Sequence, residues 1–204
     1  MNKIIFLCVL FAKIGNNNKK QKGQYNMENI KGTKTESNIL HAFAAEAQAK
    51  IKYDFYAQKA KSDGFVQIEK VFDEISHNEL EHAKIWFKYL NGGEVPTTDI
   101  NLADAASGEK YEWSEMYSQF AQEAREEGFE DIASKFDMIA SIEKDHESRY
   151  ESLRSDIDKD SVFSKGQQTR WICQNCGYIF EGEQAPEVCP VCAQPQSYYK
   201  VYGS

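Results

Sequence analysis

The chain has 204 residues, of which 32 are acidic and 24 are basic, so its formal net charge is −8. A hydrophobic content of 41% with 13% aromatic residues excludes global disorder. The acidic balance, without a dense stripe of lysine and arginine, argues against a nucleic-acid-binding protein, since such proteins neutralise phosphates. No apolar run reaches the roughly 18 residues of a membrane helix, so we expect no membrane partner.

Residues 1–35 are predicted to be an N-terminal extension, either disordered or a targeting segment. Lys3 and the nine apolar residues after it have the outline of a secretory signal. No small-residue cleavage site follows, and secretion would expose the downstream thiols to oxidation. We therefore interpret residues 1–26 as an upstream extension of a cytoplasmic protein, because Met27 resembles an ordinary start. The alternative is a segment that targets a mitochondrion-related organelle.

Residues 36–157 are predicted to be helical almost throughout. Apolar periodicity marks four segments, at about 36–62, 65–91, 110–127 and 129–156. Gly64 and Gly128 end the first and third segments with almost no loop, which predicts two antiparallel helix pairs. A longer connection over residues 93–108 separates the pairs. Two helical hairpins joined by one long crossover indicate a ferritin-like four-helix bundle.

An internal repeat supports this prediction. When Phe65–His82 is set against Phe129–His146, an offset of 64 residues, seven of eighteen positions are identical. The apolar matches are spaced as on a buried helix face. The polar matches on that face are Glu79 with Glu143 and His82 with His146.

Both Glu-x-x-His pairs put a carboxylate and an imidazole on one helical face. A single Glu-x-x-His pair on a helix is usually solvated. Here two such pairs occur in register, and each can face a further glutamate, Glu46 on the first segment and Glu109 or Glu112 on the third. This combination predicts a site for two metal ions. The offset carries Glu46 onto Lys110, so the repeat does not choose between Glu109 and Glu112. Convergent carboxylates need cations to offset their burial, and oxygen donors with two imidazoles favour iron or manganese. The matched pair Tyr53 and Tyr117 either donate hydrogen bonds to ligand carboxylates or simply fill the core.

Residues 158–170 are polar and predict a linker, and residues 171–204 form a second module. Four of the five cysteines lie here as two Cys-x-x-Cys pairs, namely Cys173, Cys176, Cys189 and Cys192. A module of this size needs a bound metal for stability. The spacing fits zinc or iron, and a small aromatic core with a Cys-Pro-Val-Cys turn favours iron. Two-residue gaps disfavour disulfides.

From about Ser37 to its end, the sequence resembles the rubrerythrin family. The resemblance lies in Ala-Glu46-Ala-Gln-Ala, Glu79-x-x-His82-Ala-Lys, Gly-Glu109-x-Tyr-Glu112-Trp, Arg125-Glu-Glu-Gly128-Phe and Glu143-x-x-His146-Glu. The C-terminal module resembles rubredoxin, with an Fe(Cys)4 centre. Ala193 is a departure, since many rubredoxins have glycine after the last cysteine, and it bears on the hydrogen bonding of that sulfur and on the redox potential.

The resemblance implies a mainly α protein, a ferritin-like four-helix bundle with a small C-terminal β-rich rubredoxin-like metal domain. It implies a non-haem di-iron peroxidase that reduces hydrogen peroxide to water in oxidative-stress defence. It further implies that Glu109 and Glu112 are both ligands, with Glu112 exchanging for His82 between redox states. The implied cofactors are two non-haem irons and one iron in the four-cysteine site, where zinc is the alternative ion.

Electrons would come from rubredoxin reductase or another NAD(P)H-linked donor. The implied assembly is a homodimer in which a rubredoxin module faces the neighbour's di-iron site. Two other functions compete with this one. The first is a ferritin-like ferroxidase that handles iron, and the second is a structural protein with a zinc-binding tail and an inert bundle.

Overall fold

The computed structural model describes residues 30–203. Of the predicted targeting or disordered extension, residues 1–35, residues 1–29 lie outside the described part, and so does the choice between a cytoplasmic and an organelle location. The predicted end of the extension needs correction, because Lys34 and Thr35 already belong to the first helix. The chain divides into two compact units, with the boundary between Pro96 and Thr97. None of the helices in residues 30–203 is both long enough and apolar enough to cross a membrane.

The first unit is a hairpin of two long helices, α1 (Lys34–Ser62) and α2 (Val66–Leu90). Thr33 caps α1, because its hydroxyl accepts the N–H of Glu36 at 3.1 Å. The turn between the helices uses Gly64 at a φ of +85°, which only glycine adopts without strain. The helices pack antiparallel along small buried residues, which are Ala57, Ala60 and Ala83.

The second unit begins with a helix that the sequence analysis did not predict in full. The segment contains α3 (Thr98–Tyr111), a π-helical turn (Glu112–Met116) and α4 (Tyr117–Glu126). The predicted crossover over residues 93–108 is therefore wrong, since only residues 91–97 connect α2 to α3. Its apolar residues do not form a stripe along α3, so periodicity gave no helical signal there.

Helix α5 (Glu130–Asp158) packs antiparallel against both α3 and α4. The turn before it uses Gly128 at a φ of +86°, nearly the value of Gly64 in the first hairpin. Ala121, Ala124 and Ala133 are buried between these helices. Both predicted antiparallel pairs are thus present, one in each unit.

The π-helical turn explains why the repeat could not align the first glutamate. A π turn closes with an i→i+5 hydrogen bond instead of i→i+4, so it accommodates one extra residue. After the turn the offset between halves is 64, as for Tyr53 and Tyr117. Before the turn it is 63, and the identical pairs there are Thr35 with Thr98, Asn38 with Asn101, Ala42 with Ala105 and Glu46 with Glu109.

The C-terminal part is a three-stranded antiparallel sheet in the order β2-β1-β3. Its strands are β1 (Ser164–Cys173), β2 (Ile179–Gln184) and β3 (Tyr199–Val201). The predicted linker, residues 158–170, needs correction, because its last seven residues belong to β1 and residue 158 ends α5. Most side chains of residues 164–170 are not buried, so the apolar alternation that marks a strand is missing.

This sheet encloses an aromatic core, as the sequence predicts. Trp171 is fully buried and donates its indole N–H to the carbonyl of Gly182 at 3.0 Å. Tyr199 is 3% exposed, and Tyr178 and Phe180 pack against the same cluster. The cluster also contains Cys173 and Cys189, so the apolar core and the thiol site are built from the same residues.

Candidate metal centres

The first hairpin brings together Glu46 from α1 with Glu79 and His82 from α2. One ligand atom from each of the three lies within 4.8 Å of the others. The Nδ1 atom of His82 is 3.0 Å from Oε2 of Glu79 and 3.8 Å from Oε2 of Glu46. Because Glu79 and His82 are three residues apart on α2, the helix itself aligns them.

The second unit contains the same arrangement. Glu109 from α3 meets Glu143 and His146 from α5, again within 4.8 Å of one another. The Nδ1 atom of His146 is 2.7 Å from Oε2 of Glu143 and 3.8 Å from Oε1 of Glu109. The geometry thus selects Glu109 as the counterpart of Glu46, which the sequence repeat alone left open.

Glu112 lies beside the second set but outside its group of three. It begins the π-helical turn, three residues after Glu109. Burial raises the pKa of the Glu112 carboxyl, and the negative charge of Glu143 raises it further. Glu112 is thus close enough to Glu143 for their charges to interact. The first set, Glu46 with Glu79 and His82, contains no residue that corresponds to Glu112.

Within each set, the two carboxylates repel one another when no cation lies between them. Burial raises the pKa of Glu46, and a hydrogen bond and charge from Glu79 raise it further. Burial and Glu143 act in the same way on the pKa of Glu109. Each pair thus holds a proton more firmly than an isolated carboxyl would. A divalent cation would replace that proton, and two carboxylates with one imidazole are donors suited to iron or manganese.

The two matched tyrosines pack against matched phenylalanines. The ring centroids of Tyr53 and Phe72 are 6.1 Å apart, and those of Tyr117 and Phe136 are 5.9 Å apart. Burial raises the pKa of Tyr117, as do the charges of nearby glutamates, Glu112 first among them. Tyr117 therefore lies close to the second set. A hydrogen bond from either tyrosine to a ligand carboxylate stays a prediction.

Trp86 is a site residue that the sequence analysis missed, and Trp113 stands in contrast to it, because the partner of Trp113 is not a candidate ligand. The indole N–H of Trp86 is buried without a fully formed hydrogen bond inside residues 30–203. It lies close enough to the Glu46 carboxylate to lower the pKa of that group. Trp113, in the π-helical turn, donates its N–H to Oε2 of Glu147 at 2.6 Å. The available signal was the place of Trp86 one helical turn after His82, on the ligand face.

The four cysteines form one compact cage. All four sulfurs lie within 4.8 Å of one another, with Cys173 and Cys192 at 3.7 Å and Cys176 and Cys189 also at 3.7 Å. A tetrahedral ion with metal–sulfur bonds of about 2.3 Å separates its ligands by about 3.8 Å. The donor set therefore fits one tetrahedrally bound ion. Cys176 is exposed, whereas Cys173 and Cys189 are buried.

The thiols of the cage share their protons unequally. Burial raises the pKa of Cys189, but the Tyr199 hydroxyl and two backbone N–H groups outweigh it and bring the pKa to about 6. A backbone hydrogen bond from Tyr178 lowers the pKa of Cys176, but desolvation and the neighbouring thiols raise it to about 12. Thiols this close do not all ionise without a metal cation among them.

Both parts of the chain match known protein families. The profile of the rubrerythrin family matches residues 37–154, and that of the rubrerythrin rubredoxin-like domain matches residues 171–200. Rubrerythrin-1 of Clostridium acetobutylicum is 45% identical over 86% of this chain and 97% of its own length. Rubrerythrin of Nitratidesulfovibrio vulgaris is also 45% identical, over 87% of this chain and 98% of its own length.

A solved structure of nigerythrin in a mixed-valence state covers 94% of this chain and 100% of its own, at 29% identity and a TM-score of 0.32. The two profiles and the curated relatives confirm the mainly α ferritin-like fold with a rubredoxin-like metal domain. They extend over both carboxylate–histidine sets and the four-cysteine cage, and the chain therefore belongs to the rubrerythrin family.

Proposed function

We propose that the protein is a peroxidase that reduces hydrogen peroxide to water and takes part in oxidative-stress defence. The reaction joins one peroxide with two protons and two electrons to give two waters. The observation that supports this proposal is the presence in one chain of two matched carboxylate–histidine sets and a tetrathiolate cage. A site that only oxidises or stores iron has no need of the second, thiolate-bound ion.

Seven side chains would hold two iron ions. These are Glu46, Glu79 and His82 in the first unit and Glu109, Glu112, Glu143 and His146 in the second. When bound, the iron pair supplies Lewis acidity and electrons to the peroxide. The carboxylates balance the charge of the cations, and the imidazoles are oriented by the glutamates three residues before them.

Tyr117 has a separate role in the proposal. Its raised pKa keeps the phenol protonated at neutral pH, so its O–H is available to donate a hydrogen bond to a ligand carboxylate. Tyr53 would do the same for the first set. Donors of this kind fix the orientation of a carboxylate and favour its ionised, metal-binding form.

The four cysteines would hold a third iron, for which zinc is the alternative ion. Electrons from rubredoxin reductase, or from another NAD(P)H-linked donor, would enter on the side of Cys176, since it is the exposed thiolate of the cage. Buried Cys173 and Cys189 shield the opposite side from water. The proposed assembly is a homodimer in which each rubredoxin-like module serves the partner's iron pair.

The test uses the full chain, loaded with iron and reduced without oxygen. Peroxide should reoxidise the Fe(Cys)4 chromophore faster than oxygen does. Glu79→Ala or Glu143→Ala should abolish this reaction and leave the chromophore intact, because neither residue belongs to the cage. His77→Ala, an exposed histidine on the same helix as Glu79, is the matched control and should keep the wild-type rate.

Three outcomes would contradict the proposal. One is a wild-type peroxide rate in either glutamate variant. Another is an iron content of hundreds per particle with no peroxide reactivity, which would favour the ferroxidase. The third is zinc in the cage and no iron elsewhere, which would favour a structural protein. About three irons per chain with a fast peroxide reaction is the result that the proposal requires.

A further inference from the structure

A buried phenol lies against the thiolate cage. Tyr199, the first residue of β3, pairs with Cys173 of β1 and is 3% exposed. It packs in the same cluster as Trp171 and Cys189. Its hydroxyl oxygen is buried and has no fully formed hydrogen bond with any other atom of residues 30–203.

Such a hydroxyl needs an explanation, because a polar group that is buried without a hydrogen bond destabilises the fold. Phenylalanine would fill the same aromatic space without that cost. The sulfur of Cys189 is the acceptor that the cluster offers this hydroxyl, since Cys189 is also buried and packs in the same cluster as Tyr199. In keeping with this placement, the neighbouring Cys189 raises the pKa of Tyr199. A neutral thiol is a weak acceptor, whereas a metal-bound thiolate is a charged and stronger one.

We propose that the Tyr199 hydroxyl donates a hydrogen bond to the Cys189 thiolate when the cage holds iron, and that this bond raises the reduction potential of the centre. The proposal rests on the iron occupancy put forward above, but not on peroxidase activity. Tyr199 is a tuning residue, because it acts through Cys189 and binds neither the iron nor the substrate.

The direction of the effect follows from charge. Four thiolates with a ferric ion have a net charge of −1, and with a ferrous ion −2. A hydrogen-bond donor stabilises the more negative state more strongly, so it favours reduction. Removing the donor should make the centre harder to reduce. The same loss leaves more electron density on the sulfur for donation to iron, which should move the charge-transfer bands to longer wavelength.

Tyr199→Phe in the full, iron-loaded chain tests the proposal without an activity assay. The ratio of reduced to oxidised centre at a fixed potential should fall about threefold to tenfold, where tenfold equals about 59 mV for one electron. The charge-transfer bands should move to longer wavelength. Iron content should stay at the wild-type level, because the ring remains in the cluster and the hydroxyl is not an iron ligand.

Tyr178→Phe is the matched control. Tyr178 packs against the same cluster. It contacts the cage through its backbone, since its carbonyl accepts the N–H of Cys173 and its own N–H lies beside Cys176. Its loss of a hydroxyl should leave the potential unchanged. An unchanged or higher potential in Tyr199→Phe would overturn the proposal, and so would an equal shift in both variants.

The two proposals fail in distinguishable ways. If Tyr199→Phe lowers the potential while wild-type protein leaves peroxide unreduced, the peroxidase proposal fails and the tuning role stands. If wild-type protein reduces peroxide and the variant has an unaltered potential, only the tuning role fails.

Discussion

Gly177 and Ala193 hold equivalent positions in the two cysteine turns, each one residue after the second cysteine of its pair. Both have a positive φ, +78° for Gly177 and +58° for Ala193. Their N–H groups donate to the carbonyls of Cys173 and Cys189 at 2.8 and 2.9 Å. One turn thus uses a glycine where the other forces an alanine into the left-handed region, which costs about 1 kcal/mol.

Ala193→Gly should therefore stabilise the metal-loaded module by about 1 kcal/mol, because it removes that strain. The opposite substitution, Gly177→Ala, is the control and should destabilise the module by a similar amount. A Cβ atom on Gly177 would meet no other group within 4 Å, so the backbone alone determines the effect. Denaturant unfolding followed by the Fe(Cys)4 absorbance measures both. Equal stabilities of all three proteins would contradict the prediction.

Trp86→Phe should weaken the binding of a divalent metal to the first set. The buried indole N–H lowers the pKa of Glu46, so its loss leaves that carboxyl more often protonated, and a proton competes with the metal. We expect affinity to fall about tenfold, with a larger loss below neutral pH. Titration of the metal-free chain with cobalt or ferrous ions measures it.

Trp113→Phe is the comparison for this change. In the wild-type protein the indole N–H of Trp113 donates to Glu147, which is not a member of either set. It should lower stability by about 1 kcal/mol and leave the affinity of the first set unaltered. If both tryptophan variants lost affinity equally, the effect would be one of general packing.

The metal-free protein should be stabilised at neutral pH by replacing Glu46 and Glu109 with glutamine. Burial and a neighbouring glutamate raise the pKa of both carboxyls in the folded chain. The folded state therefore binds protons more tightly than the unfolded state, so stability falls as pH rises through the folded pKa. Glutamine has no charge to lose, and the double variant should gain on the order of 1 kcal/mol at pH 7.

The gain should vanish near pH 4, where the wild-type carboxyls are protonated. Thermal unfolding of metal-free wild type and variant at both pH values measures the difference. With ferrous ion present the order should reverse, because the variant lacks two charged ligands. A gain that is the same at both pH values would show that charge is not its cause.

Deleting Ser114 should convert the π-helical turn into ordinary α-helix. Ser114 is exposed, and its removal gives both halves a uniform offset of 63. Helices α3 and α4 on either side of the turn should still present the same residues to α5, so Glu109 should still lie beside Glu143 and His146. We expect wild-type helical content by circular dichroism, together with loss of any metal-binding contribution from Glu112.

Deleting Gln119 from α4 is the control for this experiment. That deletion lies in regular helix, so it rotates the rest of α4 by about 100°. Buried Ala121 and Ala124 would leave the interface with α5, and the protein should be destabilised by several kcal/mol, as large core disruptions are. If the Ser114 deletion were as damaging as this one, the turn would not be a single inserted residue.

The sequence predicts most of the helical architecture, because three of its long helices have clear ends. It fails for α3, since Gly93, Pro96 and Gly108 are turn-forming residues and the stretch between them has no apolar stripe. Pro96 actually precedes the helix, and Gly108 lies inside it. Allowing the offset to change by one residue would have revealed Thr98 and Asn101 as the counterparts of Thr35 and Asn38.

The ligand types and their spacing could be read from the sequence, since Glu-x-x-His and Cys-x-x-Cys are short-range patterns. The roles of Trp86 and Tyr199 could not. Each depends on a side chain that comes from another part of the chain, Glu46 for the first and Cys189 for the second. Burial of a single N–H or O–H beside such a partner has no periodic signature. Likewise, β1 is held partly by backbone pairing of exposed residues, which leaves little trace in side-chain pattern.

The one-residue difference between the halves also sets their carboxylate–histidine sets apart. Each half is a hairpin with one carboxylate–histidine set, and identical residues on both sides of the π-helical turn keep the two halves in register. The inserted residue, and Glu112 beside it, belong to one half only. The extra residue therefore distinguishes two otherwise matched sets, because the carboxyl of Glu112 lies beside the second set only.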